Sequence, residues 1–134
     1  MYANGAKQYQ TVSTQTSIVD ADPHRLIQLL FEGALARIAK AKGCIANKNF
    51  EGKNDSINAA IRIVTGLQES LDMNAGELSD NLHRLYDYCL GRLFEANVKN
   101  SVILLDEVAL LIIDVKSAWD AIRGQALEVF AQSN

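Results

Sequence analysis

The chain has one proline, two cysteines, two histidines, no dense run of basic residues and no long unbroken apolar run. Each scarcity excludes something. Thirteen Lys and Arg stand against sixteen Asp and Glu, so no row of cations is available to neutralise a row of phosphates, and nucleic acid is excluded as a partner. No apolar stretch approaches the roughly 20 residues that cross a bilayer. The opening stretch from Met1 to Ser17 is polar and lacks the basic-then-apolar order of a signal peptide. Neither membrane insertion nor secretion is therefore expected, and the cytosol is the predicted compartment. Cys44 and Cys89 have no companions at metal-site spacing and are expected to be free thiols packed as small apolar groups. No Gly-x-Ser-x-Gly elbow and no glycine-rich phosphate loop occurs. No segment alternates with period two over a useful length, which removes strands.

What is present is helical periodicity. With 134 residues, 49% of them apolar, the chain can bury one core and is too short for two. Asp22-Pro23 opens the first helix: the aspartate can cap free amides, and proline suits the first helical position. From there Ile27, Phe31, Ala34, Ile38, Ala41 and Ile45 recur at steps of four and three and lie on one face. This helix is predicted from Pro23 to near Asn47. The turn formers of Asn47 to Gly52 interrupt the pattern, and Ile57, Ala60, Val64, Leu67 and Leu71 resume it. Asp72 to Gly76 makes a short connection, which favours antiparallel neighbours. A third helix carries Leu78, Leu82, Leu85, Cys89, Leu93 and Ala96, and a turn at Asn97 to Asn100 follows, with Asn100 or Ser101 as cap. The fourth carries Leu105, Val108, Ile112, Val115, Trp119 and Ile122 and should end near Gly124.

The expected fold is all-α: an antiparallel four-helix bundle over residues 18–123, with a flexible N-terminal tail at 1–17 and a polar C-terminal tail at 124–134. Helix four is unusual, because Val102 to Leu105 and Val108 to Ile113 place apolar groups nearly all the way round it. Either it is central in the bundle, or part of its surface is a groove awaiting a partner. Gly66 and Gly91 fall inside helical patterns, where glycine costs about 1 kcal/mol relative to alanine. Close approach of a neighbouring helix is the expected reason.

Chemistry is hard to find. His24 stands in the first helical turn, where polar side chains are commonplace, and neither histidine has the Glu-x-x-His company of a di-iron bundle. His83 and Asp87, four apart, read as a solvated pair on one helix face. A histidine phosphotransfer bundle using His83 is the rival reading. The run His83-Arg-Leu85-Tyr86-Asp87 resembles the His-x-Leu-Lys-Gly motif of such domains only in its leucine, and Asp87 would repel a phosphoryl group. With no catalytic constellation, no metal and no cofactor expected, the predicted protein is not an enzyme, and binding is the expected role.

Asp22-Pro23-His24-Arg25-Leu26-Ile27, followed by Leu30-Phe31-Glu32-Gly33-Ala34, resembles the opening helix of the FliS family of flagellar export chaperones. Leu71-Asp72, Asn81-Leu82, Leu85-Tyr86-Asp87-Tyr88, Glu95-Ala96-Asn97 and Trp119 follow in the order and spacing of that family, and Met1-Tyr2, Tyr9 and Val12 match its N-terminal tail. The resemblance covers residues 1 to about 123. It implies a cytosolic chaperone that captures the disordered C-terminal segment of flagellin, prevents premature polymerisation and aids delivery to a component of the flagellar type III export gate. It requires no nucleotide or metal and leaves room for a weak homodimer.

For contact with flagellin the expected residues are Ile61, Leu67, Leu71, Leu78, Leu82 and Tyr86, along the edge where helices two and three meet, with Asn97 supplying an amide. Each also has a reading as core. Tyr86 and Tyr88 are two apart and point to different faces, so at most one belongs fully in the core; Trp119, in register with Ile112 and Val115, is expected there. The family also suggests that the tail covers part of the groove through Tyr2, Tyr9 and Val12. Burying each would yield roughly 1.5 to 3 kcal/mol against roughly 1 to 2 kcal/mol per ordered residue, so such docking would be marginal.

Overall fold

The computed structural model describes residues 22–133. They form five helices and, among the described residues, no strand: α1 Pro23–Ala46, α2 Phe50–Glu69, α3 Glu77–Lys99, α4 Val102–Ala121 and α5 Arg123–Ser133. The tail with Tyr2, Tyr9 and Val12 lies outside the described residues.

Each boundary has a local cause. The Asp22 carboxylate accepts a 2.8 Å bond from the Arg25 amide at the head of α1, beside Pro23. Asn49 caps α2, its Oδ1 accepting from the Gly52 amide at 3.0 Å. A β-carbon at Gly52 would lie 2.5 Å from Asn49 Nδ2 and 3.0 Å from Cys44 Sγ, so glycine is needed for that cap to close. The helix accordingly begins at Phe50, inside the stretch expected to be a turn. Gly76, at φ 93°, precedes α3. The turn expected at Asn97 is shorter than its composition suggested: α3 continues to Lys99, Asn100 ends it in the left-handed conformation at φ 52°, and Ser101 Oγ caps α4 through the Leu104 amide at 3.1 Å.

From Gln28 to Ala121 the chain forms one compact unit, an antiparallel four-helix arrangement. Lys53 of α2 bonds Asn97 of α3 while Gln68 bonds His83; Arg92 of α3 bonds Glu107 of α4; Gln28 and Lys42 of α1 reach Asp120 and Asp106 of α4. The core is built as the periodicity predicts from Phe31, Ala34, Ile38, Ala41, Ile57, Ala60, Val64, Leu67, Cys89, Leu93, Ala96, Leu105, Val108 and Ile112, joined by Tyr86. Burial raises the Tyr86 hydroxyl to about 12 and the Cys89 thiol to about 11, because the charged forms have lost their water. Both cysteines are free and buried.

Several expectations are corrected. Ile27, Ile45, Val115 and Trp119 are half-buried rather than core, and Ile122 and Leu78 are exposed: the period of an apolar row fixes its face and not how completely neighbouring helices cover it. Gly66 and Gly91 are not close-approach sites, since a β-carbon at either meets nothing within 4 Å. Residues 124–133 lie in helix α5, where a polar tail was expected. Gly124 stands in the first turn of α5, where no earlier turn depends on its rigidity, and Gln125, Ala126, Leu127 and Glu128 are good helix formers.

Among the described residues, 22–27 and 122–133 belong to a second, smaller unit. In it, Arg123 grips Asp22 with two nitrogens, Nη2 at 2.8 Å and Nη1 at 3.2 Å. That bond and the Arg25 amide hold the Asp22 carboxyl down at about 2. His24 is buried, with Nδ1 3.1 Å from Arg123 Nη1. A guanidinium can only donate, so this ring nitrogen is the acceptor.

Candidate functional site

The surface that needs explaining is apolar. α3 turns two different faces to its surroundings. Cys89, Leu93 and Ala96 point inward and are sealed. Leu90, Phe94 and Val98, spaced by four, form a separate row; Phe94 is 66% exposed and Val98 68%. Antiparallel pairing of Lys53 with Asn97 and Gln68 with His83 puts Ile61 of α2, half-buried, level with Leu90 in this row. On its α4 side α3 is polar: Arg92 donates to Tyr88 Oη, to Glu95 at 2.7 Å and to Glu107 at 3.1 Å, and Tyr88 donates to Glu107.

α4 repeats the pattern. Leu105, Val108 and Ile112 are buried, whereas Ile103 is 80% and Leu110 63% exposed, with Ile113 exposed beside them. The helix is thus covered on one side only, which corrects the expectation of a central position. Around the α2–α3 connection a third apolar surface exposes Met73 and Leu78, with Leu71 and Leu82 half-buried.

The residues expected to meet a ligand are distributed over different environments. Ile61 lies on the α2–α3 edge; Leu71, Leu78 and Leu82 lie at the end of that helix pair; Leu67 and Tyr86 are core, at 1% and 4% exposure. Asn97 is a structural amide: its Oδ1 and its backbone carbonyl accept from Lys53 Nζ at 2.8 and 2.7 Å. That carbonyl is in the last turn of α3, where no intrahelical donor remains, so the buried ammonium both fills the vacancy and opposes the negative end of the helix dipole. Phe94, Val98 and Met73 fall off the core rows: Phe94 and Val98 carry the signal of apolar residues four apart on another face, while Met73 lies in the α2–α3 connection, where helical spacing does not apply. Ile103 and Leu110, seven apart, belong to the stretches of the fourth helix that are apolar nearly all the way round.

The polar groups near this surface bond one another. Gln68 Nε2 donates to the His83 carbonyl at 3.1 Å and to Asp87 at 2.8 Å, and lies 3.4 Å from His83 Nδ1, which is itself 3.6 Å from Asp87. Among the described residues no group of His, Cys, Asp and Glu is arranged to hold a metal, and no helix is long and apolar enough to cross a membrane.

This helical chain, with apolar rows on both sides of α3 and α4, has close relatives. Residues 5–126 match the family model described as flagellar protein FliS. The chain is 51% identical over 124 residues to the flagellar secretion chaperone FliSB of Pseudomonas aeruginosa, covering 91% of this chain and 98% of that one. It is 35% identical over 126 residues to the flagellar secretion chaperone FliS of Salmonella typhimurium, covering 92% and 93%, and 36% identical over 109 residues to that of Bacillus subtilis, covering 81% of each. The four-helix unit with its uncovered outer rows is therefore carried by a chain that belongs to the FliS family.

Proposed function

We propose that this protein is a cytosolic export chaperone that binds the disordered C-terminal segment of flagellin, prevents its premature polymerisation and aids its delivery to a component of the flagellar type III export gate. The observation that carries the reading is the outward apolar surface of α3 and α4 on a chain of this family: Phe94, Val98, Ile103 and Leu110 are each more than 60% exposed. Scattered apolar residues are ordinary on a surface, but rows at helical spacing are what an amphipathic helix docks against. A disordered ligand that folds on binding can follow such rows along the bundle; from Leu78 to Val98 the path is about 30 Å at 1.5 Å per residue. The role is one of binding, with neither catalysis nor cofactor.

The phosphotransfer alternative fares poorly on His83, whose Nδ1 faces the Asp87 carboxylate at 3.6 Å. A phosphoryl group there would meet like charge.

The test is to mix the purified protein with a flagellin C-terminal segment and follow circular dichroism and calorimetry. The expected outcome is a gain of helix beyond the sum of the parts and a negative heat-capacity change. Binding without gained helix would remove folding on capture, and no binding would remove the proposed function. Replacing His83 by Ala should leave binding intact.

A further inference from the structure

The apolar surface at the α2–α3 connection differs from the other two in its rim. Met73 is 49% and Leu78 70% exposed, with Leu71 and Leu82 half-buried beside them. Between residues 69 and 87, Glu69, Asp72, Glu77, Asp80 and Asp87 stand against Arg84 alone, a net charge of −4 in a chain whose total is −3. The rest of the chain is therefore at +1, so the whole acidic excess lies in the segment that carries this patch. All five carboxylate residues are exposed. Local structure accounts for only part of this charge: Glu77 and Asp80 suit the positive N-terminus of α3, Asp72 accepts from the Asn74 amide and Asp87 from Gln68 Nε2, whereas Glu69 ends α2, where a carboxylate opposes the dipole. The other end of the helix pair is built differently, with the Lys53 ammonium buried against Asn97.

Such a patch selects its occupant by charge. A second copy of the chain would bring two rims of −4 together, and an anionic lipid surface would be repelled in the same way. An amphipathic segment with Lys or Arg beside its apolar residues fits both parts. Building on the reading above, we infer that the stretch of the captured segment lying over the α2–α3 connection is basic and amphipathic, seating apolar side chains on Met73 and Leu78 and Lys or Arg against the surrounding carboxylates. The rim then fixes the direction in which the ligand lies along α3 and speeds its arrival more than it strengthens the finished complex.

The experiment measures association rate and affinity of the full chain for the flagellin C-terminal segment at about 0.05 and about 0.5 M NaCl, where the Debye length drops from roughly 14 to roughly 4 Å. Affinity is expected to fall about tenfold at the higher salt, mostly through slower association. Glu69→Lys with Asp80→Lys brings the local charge to zero and should lose about tenfold at low salt together with most of the salt dependence. Glu69→Lys alone, which removes an unfavourable contact with the α2 dipole, keeps the test valid if the double variant folds poorly and should lose about threefold. Exchanging the segment's own Lys and Arg for Gln should reproduce the loss and add nothing to the double variant. Unchanged affinity and salt dependence in both variants, with the parent protein binding normally, overturns this inference alone. A parent protein that binds no flagellin segment overturns the proposed function and this inference with it. A dimer that forms with rising concentration and is abolished by Leu78→Ser assigns the patch to a second copy and also overturns it.

Discussion

The inward and outward rows of α3 are made of the same kind of residue at the same kind of spacing, yet they differ completely in environment. Cys89, Leu93 and Ala96 are sealed at 1% exposure or less, whereas Phe94 and Val98, on the next face, are about two-thirds exposed. The difference teaches that apolar periodicity identifies faces without saying what covers them. One row is covered by the chain's own helices; for the other, the proposed cover is another protein. Substitution separates the two, because removing an inward side chain leaves a cavity, while removing an outward one takes away only what a ligand would touch.

The largest effect is expected from Leu93→Ala, which deletes a fully buried side chain and should cost about 2–5 kcal/mol of unfolding free energy in a denaturant titration. Next comes Asn97→Ala, which takes the Oδ1 acceptor from the buried Lys53 ammonium, leaving it the Asn97 carbonyl, and should cost about 1–3 kcal/mol. If Asn97 instead contacts the ligand through a free amide, the stability change would be slight and the affinity loss large.

Proton linkage sharpens the same contrast. Tyr86 and Cys89 are raised in the folded state from 10.0 and 9.0 to about 12 and about 11. Between those limits the folded protein holds more protons than the unfolded chain, so stability should fall as pH rises above 9. Asp22 is lowered from 3.8 to about 2 by Arg123; its contribution is complete above the unfolded value and lost as pH falls through about 2. A pH series of unfolding midpoints checks both limbs, and Tyr86→Phe should flatten the alkaline one. The smallest effect belongs to Gly91→Ala. A β-carbon there meets nothing within 4 Å, so the change should stabilise by up to about 1 kcal/mol. A loss of flagellin affinity in that variant would show that the ligand backbone comes close at this position.

The bundle was legible because its signals are local and mutually consistent. Asp22-Pro23 and Ser101 are caps whose chemistry is carried in their own side chains, and the core rows of Phe31, Val64, Leu93 and Ile112 follow from period 3.6 alone. Asn49, read only as a turn former, is the cap of α2. The family was legible in the motifs from Asp22 to Trp119. The surface was less so. Leu67 and Tyr86 share the helical phase of an edge and of a core, and only the placement of neighbouring helices decides between them. Leu78 lies on the core row but in the first turn of α3, where it is exposed although Ser79 beside it is buried. Phe94 and Val98 carry no motif at all. Helix α5 was missed because Gly124 reads as a stop signal, although a glycine in a first turn stops nothing.

The account rests on the outward row of α3 being a binding surface, and one paired measurement tests it: affinity for the flagellin C-terminal segment and unfolding free energy, both determined for Phe94→Ser with Val98→Ser. The prediction is a loss of at least about tenfold in affinity with stability held within about 1 kcal/mol of the parent protein, as expected for side chains that the fold leaves exposed. Undiminished affinity in the folded double variant would contradict it.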